Sequence, residues 1–220
     1  MNAVHPRQAA RQRRMLVALA LLFFAPLALA FILYYGFSWR PGGRVNHGDL
    51  VEPPMPLPAL ALPRADEPRP GAADDAGGGG AAASAVTTSP TFLRGKWTLL
   101  YLGPGSCSPA CRTDLYNTRQ VRAALGADRE RVQRVFLAEG ACCDFEWLRA
   151  QQADLITVRA SADAVPLTTI LARAGRGPAP VDRVYLIDPL GNLMMSYAAD
   201  ARPKGMLEDL KKLLRLSQVG

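Results

Sequence analysis

From Met15 to Trp39 the chain runs for 25 residues without a charged side chain, and no other feature restricts its possible folds so strongly. As a helix that run is about 37 Å long, against about 30 Å of bilayer hydrocarbon, so it spans a membrane with some tilt. Pro26 falls inside it, which membrane helices tolerate. Tyr34, Tyr35 and Trp39 gather at its far end, where rings with one polar edge favour the interface. Arg7, Arg11, Arg13 and Arg14 precede it with no acid among residues 1–14, and such an excess of cations marks the cytoplasmic side. The expected order is a basic cytoplasmic tail (1–14), a transmembrane helix (15–39) and an exported remainder. A cleaved signal sequence is the rival reading, because Ala28-Leu29-Ala30 resembles a small-residue cleavage site. Against it, the apolar run continues for nine residues past Ala30.

Residues 40–90 are rich in Pro, Gly and Ala, with Pro53-Pro54, Pro56, Pro58 and a Gly77–Gly80 run. Composition of this kind buries too little apolar surface to offset chain entropy, so it predicts a flexible linker. The segments Gly48–Val51 and Pro56–Pro58 hold an alternative, docking on the domain, but composition favours the tether. Residues 91–220 remain, enough for one folded domain. The net charge of +7 is spread along the chain. Without Lys/Arg runs or interleaved aromatics it reads as a solvated surface, not a nucleic-acid footprint.

Within the domain, Thr98–Gly103 (TLLYLG) reads as a buried strand bounded by glycines. A helix is expected from Pro109 to Leu125, a strand over Arg134–Glu139, a short helix over Phe145–Ala153 and a short strand over Leu155–Val158. Ala164–Ala174 reads as a helix stopped by Gly175 and Gly177. Val184–Asp188 and Leu193–Tyr197 form a hairpin about Leu190-Gly191-Asn192. Lys204–Ser217 closes the chain as an amphipathic helix, with Leu207, Leu210, Leu213 and Leu214 on one face. This order resembles an α/β sandwich of the thioredoxin type.

Cys107-Ser108-Pro109-Ala110-Cys111 sits where the first strand hands over to a helix. Free N–H groups and the macrodipole at a helix N-terminus favour a thiolate at Cys107. Cys111, one turn on, can close a disulfide with it or aim a second sulfur at one soft metal ion, Cu(I) above all. Both sulfurs are expected at the surface. A purely structural bridge is the competing use, but so short a loop constrains the unfolded chain little. Cys142-Cys143 follows the second strand, and adjacent parallel strands end on one edge, so the two pairs are expected near each other. A four-sulfur cluster or a disulfide relay is conceivable there. The plainer reading, one buried and one half-exposed free cysteine, is favoured because neighbouring cysteines rarely bridge. The only histidines are His5, in the tail, and His47, in the linker, so Cys/His zinc sites and His-based catalysis are excluded from the expected domain. No Walker or Rossmann pattern occurs, and no small-molecule substrate is implied. Asp182 and Asp188 flank a strand and are expected to make turn or cap contacts.

Gly95–Tyr101 running into Cys107–Cys111, with Val184–Pro189 and Gly191, resembles the Sco/SenC family of cytochrome c oxidase assembly factors. Leu115–Arg122 and Val184–Met195 are similar to a Sco-like transmembrane subgroup. The resemblance implies a periplasm-facing thioredoxin fold, anchored in a bacterial inner membrane, that delivers copper or reduces thiols at the oxidase copper site. Its partners would be an oxidase subunit or other assembly factors, its cargo Cu(I), and Cys107 and Cys111 its catalytic and metal-binding residues. The family's third ligand, a His before the Tyr-Leu-x-Asp-Pro strand, has no counterpart; Pro180, Val181, Asp182 and Arg183 occupy that stretch. A general periplasmic thiol–disulfide oxidoreductase and a non-catalytic scaffold for a membrane complex are the alternative functions.

Overall fold

The computed structural model describes residues 6–36, 46–65, 87–174, 182–199 and 201–217. His5, Trp39, the Gly77–Gly80 run, Gly175, Gly177, Pro180 and Val181 therefore lie outside the described residues. The chain divides into two compact units, Met1–Val45 and Asn46–Gly220.

The first unit contains α1, Pro6–Gly36. Its span Arg11–Ile32 is long and apolar enough to cross a membrane, and Leu22, Phe23 and Phe24 are all exposed, as a lipid-facing surface requires. The helix starts inside the expected tail. Pro6 sits well in a first turn, and the Gln, Ala and Arg residues after it extend a helix at little cost.

The second unit is built on a six-stranded sheet of order β1-β6-β5-β2-β3-β4. β2 (Trp97–Pro104), β3 (Val132–Glu139) and β4 (Leu155–Arg159) run parallel. Helices α2 (Pro109–Ala123) and α3 (Phe145–Gln151) make the two crossovers. β5 (Arg183–Ile187) and β6 (Asn192–Tyr197) form the expected antiparallel hairpin, with β5 beside β2. Asp188 closes its turn, accepting from the N–H groups of Leu190 (3.0 Å) and Asn192 (2.7 Å).

Alternate residues of the central strands serve two cores, which is why those strands read as unbroken apolar runs. Leu99, Tyr101, Phe136 and Leu186 meet Leu115 and Val121 of α2 and Met206, Leu210 and Leu214 of α5 (Pro203–Leu216). Leu100, Leu102, Leu137 and Ile187 face the other way, against Leu167 and Leu171 of α4 (Val165–Ala174).

The expected linker does not hold over 46–65. Asp49–Pro56 forms β1, an edge strand antiparallel to β6, where prolines lacking an N–H are tolerated. Val51, Leu57 and Leu62 are buried in the α4-side core, and Arg64 bridges to Val158 of β4. The chain thus runs from one sheet edge to the other. Its start is pinned by Asp209 of α5, which accepts from the N–H groups of His47 (2.9 Å) and Gly48 (3.0 Å) and from the Tyr197 hydroxyl (3.1 Å). His47 consequently belongs to the folded unit, not to a tether, with its Nε2 2.9 Å from Glu208 Oε2. On α5, Asp209 is buried while Leu207 and Leu213 are only partly so.

Arg134 of β3 is wholly buried. Its guanidinium donates to Thr118 Oγ1 (3.1 Å) and the Leu115 carbonyl (2.6 Å) on α2, and to Gln152 Oε1 (2.7 Å) and Asp154 Oδ1 (2.8 Å) before β4. Burial pulls its pKa down to about 10, with Asp154 opposing the shift. Arg134→Met strands the Leu115 carbonyl and the Gln152 amide, and the expected cost is about 3 kcal/mol of unfolding free energy. Urea denaturation checks it; a change within about 0.5 kcal/mol, as at ordinary surface sites, would remove Arg134 from this role.

Candidate functional site

β2 ends in Gly103-Pro104 and turns into α2 over four residues. The Cys107 N–H donates to the Pro104 carbonyl (2.9 Å), and the residue is held at φ 43°, a left-handed conformation that costs a side-chain-bearing residue about 1–2 kcal/mol. Ser108 caps α2, its Oγ accepting from the Cys111 N–H (3.3 Å). Pro109 begins the helix, where its missing N–H would have had no partner anyway.

The two sulfurs come together as expected: Cys107 and Cys111 are disulfide-bonded with Cα atoms 5.2 Å apart. Their expected joint exposure is not observed. Cys107 is 6% exposed and Cys111 0%. The helix period explains the difference, because Cys111 opens the inward stripe of α2 that continues through Asp114, Leu115, Thr118 and Val121.

Asp114 is the residue that sequence reasoning missed. It lies one turn beyond Cys111 and is 7% exposed, and its pKa is raised to about 6 by burial and then by the charge of Asp182. Asp182 does not make the expected turn contact with its side chain. Register places Arg183 beside Leu102, so Asp182 falls where β2 runs into the cysteine turn. There its Oδ1 accepts from the Tyr101 hydroxyl at 2.8 Å. Burial, then that bond, pushes the Tyr101 phenol well above its ordinary value. A polar residue on the apolar stripe of α2 was the available signal for Asp114; for Asp182 the sequence held none.

The second cysteine pair reaches the same end of the sheet. Pro104 pairs with Glu139, the Gly105 N–H donates to the Glu139 carbonyl (2.7 Å), and a Cβ on Gly105 would lie 2.9 Å from the Cys142 Cα. Cys142 and Cys143 are both half-buried against the core cluster that contains Cys107 and Cys111, and their sulfurs abut. The expected split into one buried and one half-exposed cysteine is not observed: both are half-buried. The approach of the two turns, glycine against backbone, holds the pair there.

Two thiolates, released by reduction of Cys107–Cys111, suit Cu(I), which accepts low coordination and soft donors. Asp182, in the stretch where a third ligand was sought, is engaged by Tyr101. In the bridged state no three His, Cys, Asp or Glu side chains among the described residues converge to hold a metal ion.

A parallel β-α-β-α-β unit, completed by a hairpin and a cysteine turn at the head of its first helix, defines a thioredoxin-like protein. Residues 97–217 match the family described as transmembrane-like, thioredoxin-like, C-terminal domain, and the chain belongs to that family. Solved structures with the same fold include apo Sco1 from Thermus thermophilus, at a TM-score of 0.54 and 16% identity over 78% of this chain and 99% of that one. Yeast Sco1 with copper bound gives 0.54 and 13% over 76% and 96%. A thioredoxin-family thiol:disulfide interchange protein from Chlorobium tepidum gives 0.51 and 15% over 74% and 98%. The expected likeness to Sco proteins therefore holds at the level of the fold. No curated protein matches the chain in sequence.

Because the folded-state pKa of Asp114 lies above its unfolded value of 3.8, stability linked to its neutral form is complete below that value and lost as pH rises through about 6. Asp114→Asn stays neutral and escapes this loss. Its stability relative to the native chain should therefore rise between pH 4 and 7 by on the order of 2 kcal/mol. Urea midpoints across that range measure it, and parallel curves for the two proteins would contradict the assignment.

Proposed function

We propose that the protein aids cytochrome c oxidase assembly from the outer face of a bacterial-type inner membrane. Its Cys107/Cys111 dithiol would reduce a disulfide between the cysteines of the oxidase copper site or deliver Cu(I) to that site. One observation carries the reading: a capped strand-to-helix turn holds Cys107 in a strained conformation beside the N-terminus of α2, with Cys111 sealed behind it. Backbone strain retained at such a turn is characteristic of sites that act. The orientation is supported by the arginines on the N-terminal side of α1, which favour the cytoplasm.

As a reductant, the Cys107 thiolate attacks one sulfur of a client disulfide and the client's other sulfur leaves as a thiolate. Cys111 then attacks the Cys107 sulfur of the mixed disulfide. The client departs as a dithiol and Cys107–Cys111 closes, with two electrons passed to the client. Asp114, one turn from Cys111 on the same helix face, is the titratable group best placed to influence its proton. As a carrier, the reduced pair binds Cu(I) as cargo through two sulfurs, a donor set that holds Cu(II) poorly.

With Cys142 and Cys143 replaced by serine, the reduced protein is expected to take up one Cu(I) per chain in competition with a chromophoric chelator, and the same chain carrying also Cys107→Ser/Cys111→Ser none. Uptake by neither would leave the reductant form alone. In cells the Cys107→Ser/Cys111→Ser double variant should lose oxidase activity while other exported disulfide proteins mature normally. Broad disulfide defects would instead indicate a general oxidoreductase, and full oxidase assembly a non-catalytic scaffold.

A further inference from the structure

We infer that Cys142–Cys143 is a second redox pair that exchanges with Cys107–Cys111 inside the chain. All four cysteines of the protein lie at one end of one sheet, brought there by the parallel pairing of β2 and β3. The Gly105 N–H bond to Glu139 and the contact of Gly105 with the Cys142 backbone join the two turns directly. Cys107 is two residues from Gly105, so its Cα and that of Cys142 lie within about 11 Å. A disulfide needs about 4.4–6.8 Å, which leaves a few ångströms for the two turns to close. Gly140, at φ 69° and with open space around its Cα, provides a pivot for the Cys142 turn.

Burial gives the exchange a purpose. Cys111 is wholly enclosed and Cys107 nearly so, whereas Cys142 and Cys143 are half-buried. An outside dithiol protein therefore meets Cys142–Cys143 first. It reduces that disulfide and is itself oxidised. One of the new thiolates attacks Cys107, Cys111 leaves as a thiolate, and the neighbouring Cys142 or Cys143 thiolate resolves the mixed disulfide. The products are the Cys142–Cys143 disulfide and the Cys107/Cys111 dithiol, with two electrons and two protons transferred.

This inference rests on the reading that Cys107 is a reactive thiol, and one experiment separates the two. Full-length Cys111→Ala, purified in detergent, retains Cys107 opposite the Cys142–Cys143 disulfide and lacks the resolving sulfur. After acid quench, alkylation and trypsin, mass spectrometry should find peptide 97–112 disulfide-linked to peptide 135–149, with one alkylated cysteine on the latter. Cys107→Ala should yield no such link. If Cys107 is found unlinked yet forms a mixed disulfide with added oxidised glutathione, internal exchange is overturned and the thiol reading stands. If it reacts with neither, both fall. Should Cys111→Ala not fold, the same linked peptide is sought in the native chain quenched during partial reduction, and its absence there overturns the inference equally.

Discussion

A buried positive charge organises the folded unit. Arg134 is enclosed between β3 and the helices on one face of the sheet, and its four bonds reach two α2 groups and two groups ahead of β4. Moving an unpaired guanidinium out of water is prohibitive, so its partners must be in place together. That requirement fixes α2 in rotation and height against β3. Since α2 carries Cys111 and Asp114 on its inward stripe, the position of the cysteine turn follows from the same contact. The guanidinium acts as a positioning group well away from the sulfurs.

At the turn itself, local and tertiary constraints combine. Ser108 and Pro109 start the helix, and the Pro104 carbonyl holds the Cys107 N–H. From outside the turn come Asp182, bonded to Tyr101 of β2, by way of the antiparallel β5, and the Cys142–Cys143 loop by way of the parallel β3. The result is a nearly enclosed disulfide with a protonatable acid, a phenol and a second sulfur pair close to it. This arrangement suits two-electron thiol chemistry and a soft cargo ion.

Much of the fold was readable because its central strands, Trp97–Pro104, Val132–Glu139 and Arg183–Ile187, are buried on both faces and so appear as short apolar runs. The hairpin at Asp188 and the amphipathic α5 carry equally local signals, as does the cysteine turn. What escaped depends on distant partners. β1 has only Val51 buried along its length and is built from prolines, so it becomes a strand through the edge that β6 offers it. Nothing local marked Arg134 as buried, because its bonding groups come from four separate positions. Asp182 and Asp209 were silent for the same reason: each acquires its role from a chain segment that sequence order keeps apart. The enclosure of Cys111 was in principle visible, since it shares a helical stripe with Leu115 and Thr118.

The central claim is that the turn makes Cys107 a reactive thiolate while Cys111 waits behind it. Its most direct test is the rate of iodoacetamide alkylation at each cysteine of the reduced, folded protein, followed by peptide mass spectrometry from pH 5 to 10. Cys107 is expected to react with a half-maximal rate below the ~8.5 of an ordinary cysteine, and Cys111 to remain unmodified until the chain is unfolded. A Cys107 that stays inert, or that gains reactivity only at or above that pH, would contradict the account.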